Sequence, residues 1–161
     1  MSADNKTFDP STHRLAENRW FEEFAVGEVF PLPSRTMTDA LFATFQLASG
    51  DNHPIHYDVE YCRQRGYKGI LAHSMQVFIQ TAAGAGLFRH VVDDSLVAFS
   101  EASSRFLEQV FAGDTVYPCL EVVELTPQRS TGVRTMKATV HNQERVLVME
   151  VRHKCIIKKR N

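Results

Sequence analysis

Two carboxylate and two imidazole side chains lie close together in the segment from Ser49 to Asp58, which reads SGDNHPIHYD. Pro54 cannot continue a helix and pushes the residue before it towards an extended backbone, so this segment is predicted to be a shaped loop. In a helix, the five-residue spacing of Asp51 and His56 would place them on different faces. Held together by a loop, they form a candidate general acid–base pair. The alternative interpretation is a polar turn with surface histidines.

Metal and nucleophilic chemistry have less support. The spacing of His53 and His56 could suggest a metal site, but the sequence has no His-Glu-x-x-His segment and no paired cysteines at zinc spacing. We therefore predict no metal. Ser74 follows His73 but lacks the flanking glycines of a nucleophile elbow. Ser74 is better interpreted as a helix-start residue, near backbone N–H groups that could stabilise a developing negative charge.

The elements that must position this loop are predicted from hydrophobic spacing. A helix from Ala40 to Ala48, ended by Ser49 and Gly50, leads directly into the loop. A short helix over Val59 to Arg65 follows it. A long, buried helix is then predicted from about His73 to His90, because its apolar residues are distributed around most of its circumference.

From Ser95 onward the hydrophobic spacing changes from the period of a helix to the alternation of strands. After a short early strand at Val29 to Leu32, the predicted strands lie within Ser95 to Val110, Thr115 to Leu125, Val133 to Val140 and Arg145 to Ile157. A buried helix followed by a long antiparallel meander predicts an α+β fold, with the sheet wrapped around the helix.

The length of 161 residues fits one domain, which we assign to residues 19–161, preceded by a flexible N-terminal tail over residues 1–18. The net charge of −1 gives no electrostatic case for binding nucleic acid or an anionic membrane surface. No apolar run reaches the length of a membrane span. Three widely separated cysteines argue against a disulfide framework and indicate a reducing, cytoplasmic location.

The segment from Ser49 to Asp58, together with GILAHSM from Gly69 to Met75, resembles the hydratase motif of MaoC-like (R)-specific enoyl-CoA hydratases. The similarity extends to WFEEFAVGE from Trp20 to Glu28 and to VFAGDT from Val110 to Thr115. It therefore covers nearly the whole chain from Trp20 to Ile157.

This resemblance implies a hot-dog fold, in which an antiparallel sheet wraps around a long central helix, and dimers with active sites near the subunit interface. It also implies reversible addition of water to a trans-2-enoyl thioester, with Asp51 and His56 as the catalytic pair. Backbone N–H groups near Ser74 would hold the enolate charge, and His73 and His53 are candidate substrate-binding residues. For His53, a structural hydrogen bond is the alternative role. The chain departs from the family pattern at His53, where Asn is common, and at Ser74, where Gly is common.

We therefore predict a hydratase or dehydratase that acts on an enoyl or 3-hydroxyacyl thioester of CoA or acyl carrier protein. No cofactor, nucleic acid or membrane is expected, and the protein is predicted to form a homodimer or a higher homo-oligomer. Two alternatives stay open at this point. One is a hot-dog thioesterase, which would direct water at the carbonyl carbon, and the other is a non-catalytic subunit that binds acyl thioesters.

Overall fold

The computed structural model describes residues 9–160, which form one antiparallel sheet with helices and turns packed on its inner face. The helices are α1 (Asp39–Ser49), α2 (Val59–Gln64) and α3 (Ser74–Ile79). The strands are β1 (Val29–Pro31), β2 (Arg35–Thr36), β3 (Leu96–Phe106), β4 (Thr115–Pro127), β5 (Thr131–Asn142) and β6 (Leu147–Lys158).

The strands are ordered β1-β4-β5-β6-β3, and β2 pairs with the other end of β4. Every pairing is antiparallel, so β5 lies at the centre of the sheet and β3 forms an edge. Side chains alternate between the two faces of each strand. The inner face of β5 therefore buries a row of residues completely: Arg134, Met136, Ala138 and Val140.

The inner face of the sheet packs against α3 and the turns that follow it, which contribute Val77, Phe88 and Val92 to the core. The segment before β1 closes one end of this core through Phe21 and Phe24. A Cβ atom on Gly132 would overlap the ring of Phe21, so glycine is needed at this position for the ring to lie against β5.

The predicted α+β architecture, the helix leading into the loop and the strands from Ser95 onward are confirmed. The prediction of a long helix from His73 to His90 is wrong. The α-helix ends at Ile79, and the chain continues as two short 3-10 segments, Ala83–Ala85 and Leu87–Val92.

The helix does not continue through the run of small residues from Ala82 to Gly86, and the backbone there approaches β1 instead. Glycine inside a helix costs roughly 1 kcal/mol relative to alanine, so Gly84 and Gly86 disfavour a helix through this run. Gly86 instead adopts an extended conformation and lies against the end of β1. A Cβ atom there would come within 2.8 Å of Leu32 Cδ2 and 3.3 Å of the Pro31 carbonyl oxygen.

The first ten described residues contact the rest of the chain. Arg14 Nη1 forms an ion pair with Asp94 Oδ2 at 2.6 Å, and Asn18 Oδ1 accepts a hydrogen bond from the Asp94 N–H. Residues 1–8 of the predicted flexible tail lie outside the described residues, and flexibility of this tail stays a prediction. Within residues 9–160, no helix combines the length and the hydropathy needed to cross a membrane.

Candidate active site

The loop between α1 and α2 is shaped by its own backbone and side chains. Gly50 has a φ of 73° and ends α1, which turns the chain into the loop. A 3-10 turn then runs from Pro54 to His56. The ring of His53 caps this turn, because His53 Nδ1 accepts a hydrogen bond from the Ile55 N–H at 3.3 Å. These local contacts bring Asp51 and His56 to the same side of the loop.

A short extended segment next to the loop fixes the position of His56. The Leu71 N–H donates to the Ile55 carbonyl oxygen at 3.0 Å, and the Ala72 N–H donates to the Val110 carbonyl oxygen at 2.8 Å. The Leu71 carbonyl oxygen in turn lies 2.8 Å from His56 Nδ1. The imidazole is therefore tied to a backbone segment that is itself held between the loop and the residues that precede β4.

This contact decides which nitrogen of His56 carries the hydrogen. A carbonyl oxygen only accepts hydrogen bonds, so Nδ1 must be the N–H donor. In the neutral ring, Nε2 then carries a lone pair and lies 3.8 Å from Asp51 Oδ2. Two acceptor atoms thus face each other across a gap too long for a direct hydrogen bond. Such a gap suits a molecule that donates hydrogen bonds to both of them.

The two side chains differ in exposure. The Asp51 side chain is 52% exposed, whereas that of His56 is only 12% exposed. Burial is the largest influence on His56 and lowers its pKa below the ordinary value of 6.5, although the hydrogen bond to Leu71 and the charge of Asp51 act in the opposite direction. The ring is consequently neutral at pH 7, as a general base must be.

His73 precedes α3 and lies behind the pair. Its ring is stacked on that of His56, with centroids 3.7 Å apart and planes 20° apart, and it is packed against the Phe45 ring from α1. His73 Nε2 lies 3.1 Å from the backbone carbonyl oxygen of Asp51. Only 2% of His73 is exposed.

The structure separates the remaining predicted site residues from the pair. His53 is exposed, and its ring centroid lies 6.4 Å from that of His56. Ser74 is exposed in the first turn of α3, and His73 occupies the cap position before it. A cavity of about 410 Å³ lies beside this turn. Ser74, Leu71, Ala72 and Val77 line it together with residues 106–110 and Val148, whereas Asp51 and His56 do not.

A second cavity, of about 380 Å³, lies beyond the C-terminal end of α3 and has a mainly apolar lining that includes Phe78, Phe88, Leu96 and Phe99. The buried ring of His153 also lines it, and burial lowers the pKa of this ring to about 4. Thr81 Oγ1 lies 3.1 Å from His153 Nε2 and 2.7 Å from the Phe78 carbonyl oxygen. The hydroxyl donates to that carbonyl, so His153 Nε2 donates to the hydroxyl oxygen.

Asp51, His56 and His73 each offer a possible metal-ligating atom, and these atoms lie within 4.8 Å of one another. However, His73 Nε2 and His56 Nδ1 already bond to backbone carbonyls, and His73 Nδ1 is buried. The Asp51 carboxylate and His56 Nε2 are the two remaining donors of this group, fewer than the three protein ligands of a catalytic zinc site. These donors fit a metal poorly, and its absence stays a prediction.

Sequence reasoning missed three groups that build the site. These are the Leu71 carbonyl oxygen, the Phe45 ring and the Cys62 thiol, which donates to the Ile55 carbonyl oxygen at 3.3 Å. Phe45 could have been found from its position on the apolar face of α1, close in sequence to the loop. The Leu71 contact has no sequence signal, because any residue provides a carbonyl oxygen.

Comparison with known proteins places this chain in a family. Residues 23–145 match the sequence model of the family described as "MaoC like domain". The chain belongs to this family. Protein MaoC of Klebsiella aerogenes is 30% identical over 114 residues, which cover 70% of this chain and 32% of that protein. The chain therefore spans about a third of the length of this curated relative.

Solved structures share the fold. A monoamine oxidase regulatory protein from Archaeoglobus fulgidus has a TM-score of 0.85 at 29% identity, over 92% of this chain and 99% of that chain. The unliganded R-hydratase PhaJ1 from Pseudomonas aeruginosa has a TM-score of 0.75 at 22% identity, over 89% of this chain and 88% of that chain. The chain thus has the hot-dog fold of the MaoC-like hydratases and dehydratases.

Proposed function

We propose that this protein is a hydratase or dehydratase that reversibly adds water to a trans-2-enoyl thioester, giving a 3-hydroxyacyl thioester. The observation that carries the proposal is the gap between His56 Nε2 and Asp51 Oδ2. Both atoms accept hydrogen bonds and lie 3.8 Å apart. One water molecule can donate a hydrogen bond to each of them, and its oxygen lone pairs then stay free for attack on an electrophile.

The proposed reaction needs both members of the pair. The water oxygen forms a bond to C3 of the enoyl group while His56 Nε2 accepts a proton from the water. The electrons of the C2=C3 bond move towards the thioester carbonyl, so an enolate oxygen develops. C2 then receives a proton from the pair, and C2 has gained hydrogen while C3 has gained hydroxyl. Dehydration is the reverse of these steps.

The enolate charge needs donors that are already in place. The first backbone N–H groups of a helix have no acceptor within that helix, and those of α3 begin at Ser74 beside the 410 Å³ cavity. We assign the thioester carbonyl to this position. The hydroxyl of Ser74 adds a polar group at the same place, without removing the backbone donor.

We also propose that the protein forms a homodimer through β3. This strand lies at the edge of the sheet, and an edge strand offers backbone groups for pairing with another chain. Val97 and Phe99 are each 52% exposed on it, and Phe106 is 45% exposed. The absence of a cofactor and the cytoplasmic location both stay predictions.

Mixing the protein with crotonyl-CoA and longer trans-2-enoyl-CoAs tests the proposed reaction through loss of the conjugated absorbance. Asp51→Asn and His56→Ala should each lower kcat by at least about a hundredfold, since one proton-transfer group contributes about 10²–10⁴. Asp39→Asn is the matched control, because Asp39 is exposed in the first turn of α1. Full activity in either site variant would refute the assigned roles.

The same samples separate the alternatives. Release of free CoA thiol, measured with a thiol reagent, would identify a thioesterase. Binding of an enoyl-CoA without hydration or thiol release across the substrate series would identify a non-catalytic binding subunit. A further signature follows from His56, whose pKa lies below 6.5. The base form persists at mildly acidic pH, so kcat/KM should fall only as the pH drops through this lowered pKa.

A further inference from the structure

His73 contacts both members of the proposed pair from the buried side. Its Nε2 lies 3.1 Å from the backbone carbonyl oxygen of Asp51, and its ring is stacked on the ring of His56 at 3.7 Å. The two contacts use different parts of the imidazole, an edge nitrogen for Asp51 and a face for His56. One side chain therefore joins two residues that lie five positions apart in the loop.

The contacts of His73 exclude a direct role towards the substrate. The Asp51 carbonyl oxygen only accepts, so His73 Nε2 carries the hydrogen and donates it. His73 Nδ1, the lone-pair nitrogen of the neutral ring, is buried and without a hydrogen-bond partner in residues 9–160. The ring is 2% exposed, between the aromatic rings of α1 and the His56 ring. It has no N–H left to offer an oxyanion.

We propose that His73 is a positioning residue that fixes the distance and the relative orientation of the Asp51 carboxylate and the His56 Nε2 lone pair. This inference rests on the proposed hydratase function. The hydrogen bond from His56 to the Leu71 carbonyl oxygen fixes one ring nitrogen but leaves the plane of the ring to its neighbours. The stacked ring of His73 fixes that plane, and its N–H holds the backbone from which the Asp51 carboxylate projects.

The aromatic residues of α1 complete the support. The Phe45 and Phe42 ring centroids lie 5.0 and 6.5 Å from that of His73. These two rings pack against His73 and fix its position, as His73 in turn fixes the positions of Asp51 and His56. The chain thus connects the helix that precedes the loop to the reacting groups through one buried imidazole.

Two substitutions separate the two contacts. His73→Gln keeps an N–H donor for the Asp51 carbonyl oxygen but has no ring to stack on His56. His73→Phe keeps a ring but has no donor. Each should lower kcat by at least about tenfold with KM changed by less than about twofold, because a misplacement of about 1 Å between reacting groups can cost about a hundredfold in rate. His90→Gln and His90→Phe are the controls, since His90 lies in the Leu87–Val92 segment.

A second readout does not depend on turnover. The titratable groups that face His56 are His73, His53 and Asp51, and burial is the largest influence on its pKa, which it lowers. His73→Gln uncovers one face of the His56 ring, so the pKa of His56 should rise in this variant and the acidic limb of kcat should move to higher pH. Nitrogen NMR of the imidazoles measures this pKa, together with the fraction of His56 that carries its hydrogen on Nδ1. His73→Gln should lower that fraction, because no ring then stacks on His56, whereas His73→Phe should keep it.

The outcomes separate this inference from the function on which it rests. If the wild-type protein hydrates enoyl-CoAs but both folded variants keep its kcat and its His56 titration, the positioning role is refuted and the function stands. If the wild-type protein is inactive, the proposed function fails, and the NMR titration alone decides the role of His73. If circular dichroism shows that His73→Phe does not fold, His73→Gln alone tests the positioning role, since its amide is smaller and keeps the buried donor.

Discussion

The buried imidazole of His153 should make the protein sensitive to mild acid. Burial lowers the pKa of His153 to about 4, from an ordinary value of 6.5 that applies in the unfolded chain. Between these two values the unfolded chain binds a proton that the folded chain does not. Stability is therefore complete above pH 6.5 and decreases as the pH falls towards 4. The loss amounts to about 2 kcal/mol at pH 5 and about 3 kcal/mol at pH 4.

His153→Gln removes the titrating group and keeps an amide that can donate to Thr81 Oγ1. At pH 7.5 the variant should be less stable by about 1–2 kcal/mol, because the amide packs less well than the ring against Phe78 and Phe99. Between pH 7.5 and pH 5.0, however, the variant should lose about 2 kcal/mol less than the wild type. The two proteins should thus approach equal stability at pH 5.0.

Urea unfolding at fixed protein concentration, followed by the fluorescence of Trp20, measures both differences. Trp20 is the only tryptophan in the chain. Val151→Ala is the control, because Val151 is a buried residue of the same strand that carries no titrating group. It should destabilise the protein equally at both pH values. If His153→Gln loses as much stability as the wild type between pH 7.5 and 5.0, the burial argument is wrong.

Two further predictions concern the centre and the edge of the sheet. Arg134 is fully buried between the Phe24 and Phe88 rings, and no carboxylate within residues 9–160 forms an ion pair with it. Burial lowers its pKa to about 10, although the Cys155 thiol acts in the opposite direction. Arg134→Met should therefore raise the free energy of unfolding by about 1–3 kcal/mol. A lower free energy of unfolding, measured by urea denaturation, would contradict this. Val97→Lys on the β3 edge should lower the association constant of the proposed dimer by at least about tenfold, or about 1.4 kcal/mol, as measured by sedimentation equilibrium. An unchanged association constant would show that β3 does not form the dimer interface.

The strands were predictable because one face of the sheet is buried and the other is not. Along β6 the alternation of Met149, Val151, Cys155 and Ile157 with polar residues is a local property of the sequence. The end of α3 was not predictable in the same way. Apolar residues continue past Ile79, as they would in a longer helix. Gly84 and Gly86 weaken a longer helix, but the alternative path also depends on the close approach of Gly86 to Leu32, a contact between residues far apart in sequence.

The proposed pair was also a local prediction, since Pro54 and the spacing of Asp51 and His56 are visible in ten residues. The roles of the remaining candidate residues could not be predicted from the sequence. His53 shares the loop with the pair, yet its ring caps the turn and lies at the surface. His73 is separated from Asp51 by more than twenty residues, yet its ring makes the closest aromatic contact of His56.

Two backbone carbonyl oxygens account for this difference. The Leu71 oxygen accepts from His56 and leaves a lone pair that faces the carboxylate, whereas the Asp51 oxygen accepts from His73 and occupies its one N–H. The same side chain thus becomes a candidate base in one case and a support in the other. Residue type shows which groups can transfer a proton, but the backbone acceptor of each ring determines which nitrogen does so. That acceptor has no signature in the sequence, because every residue carries one.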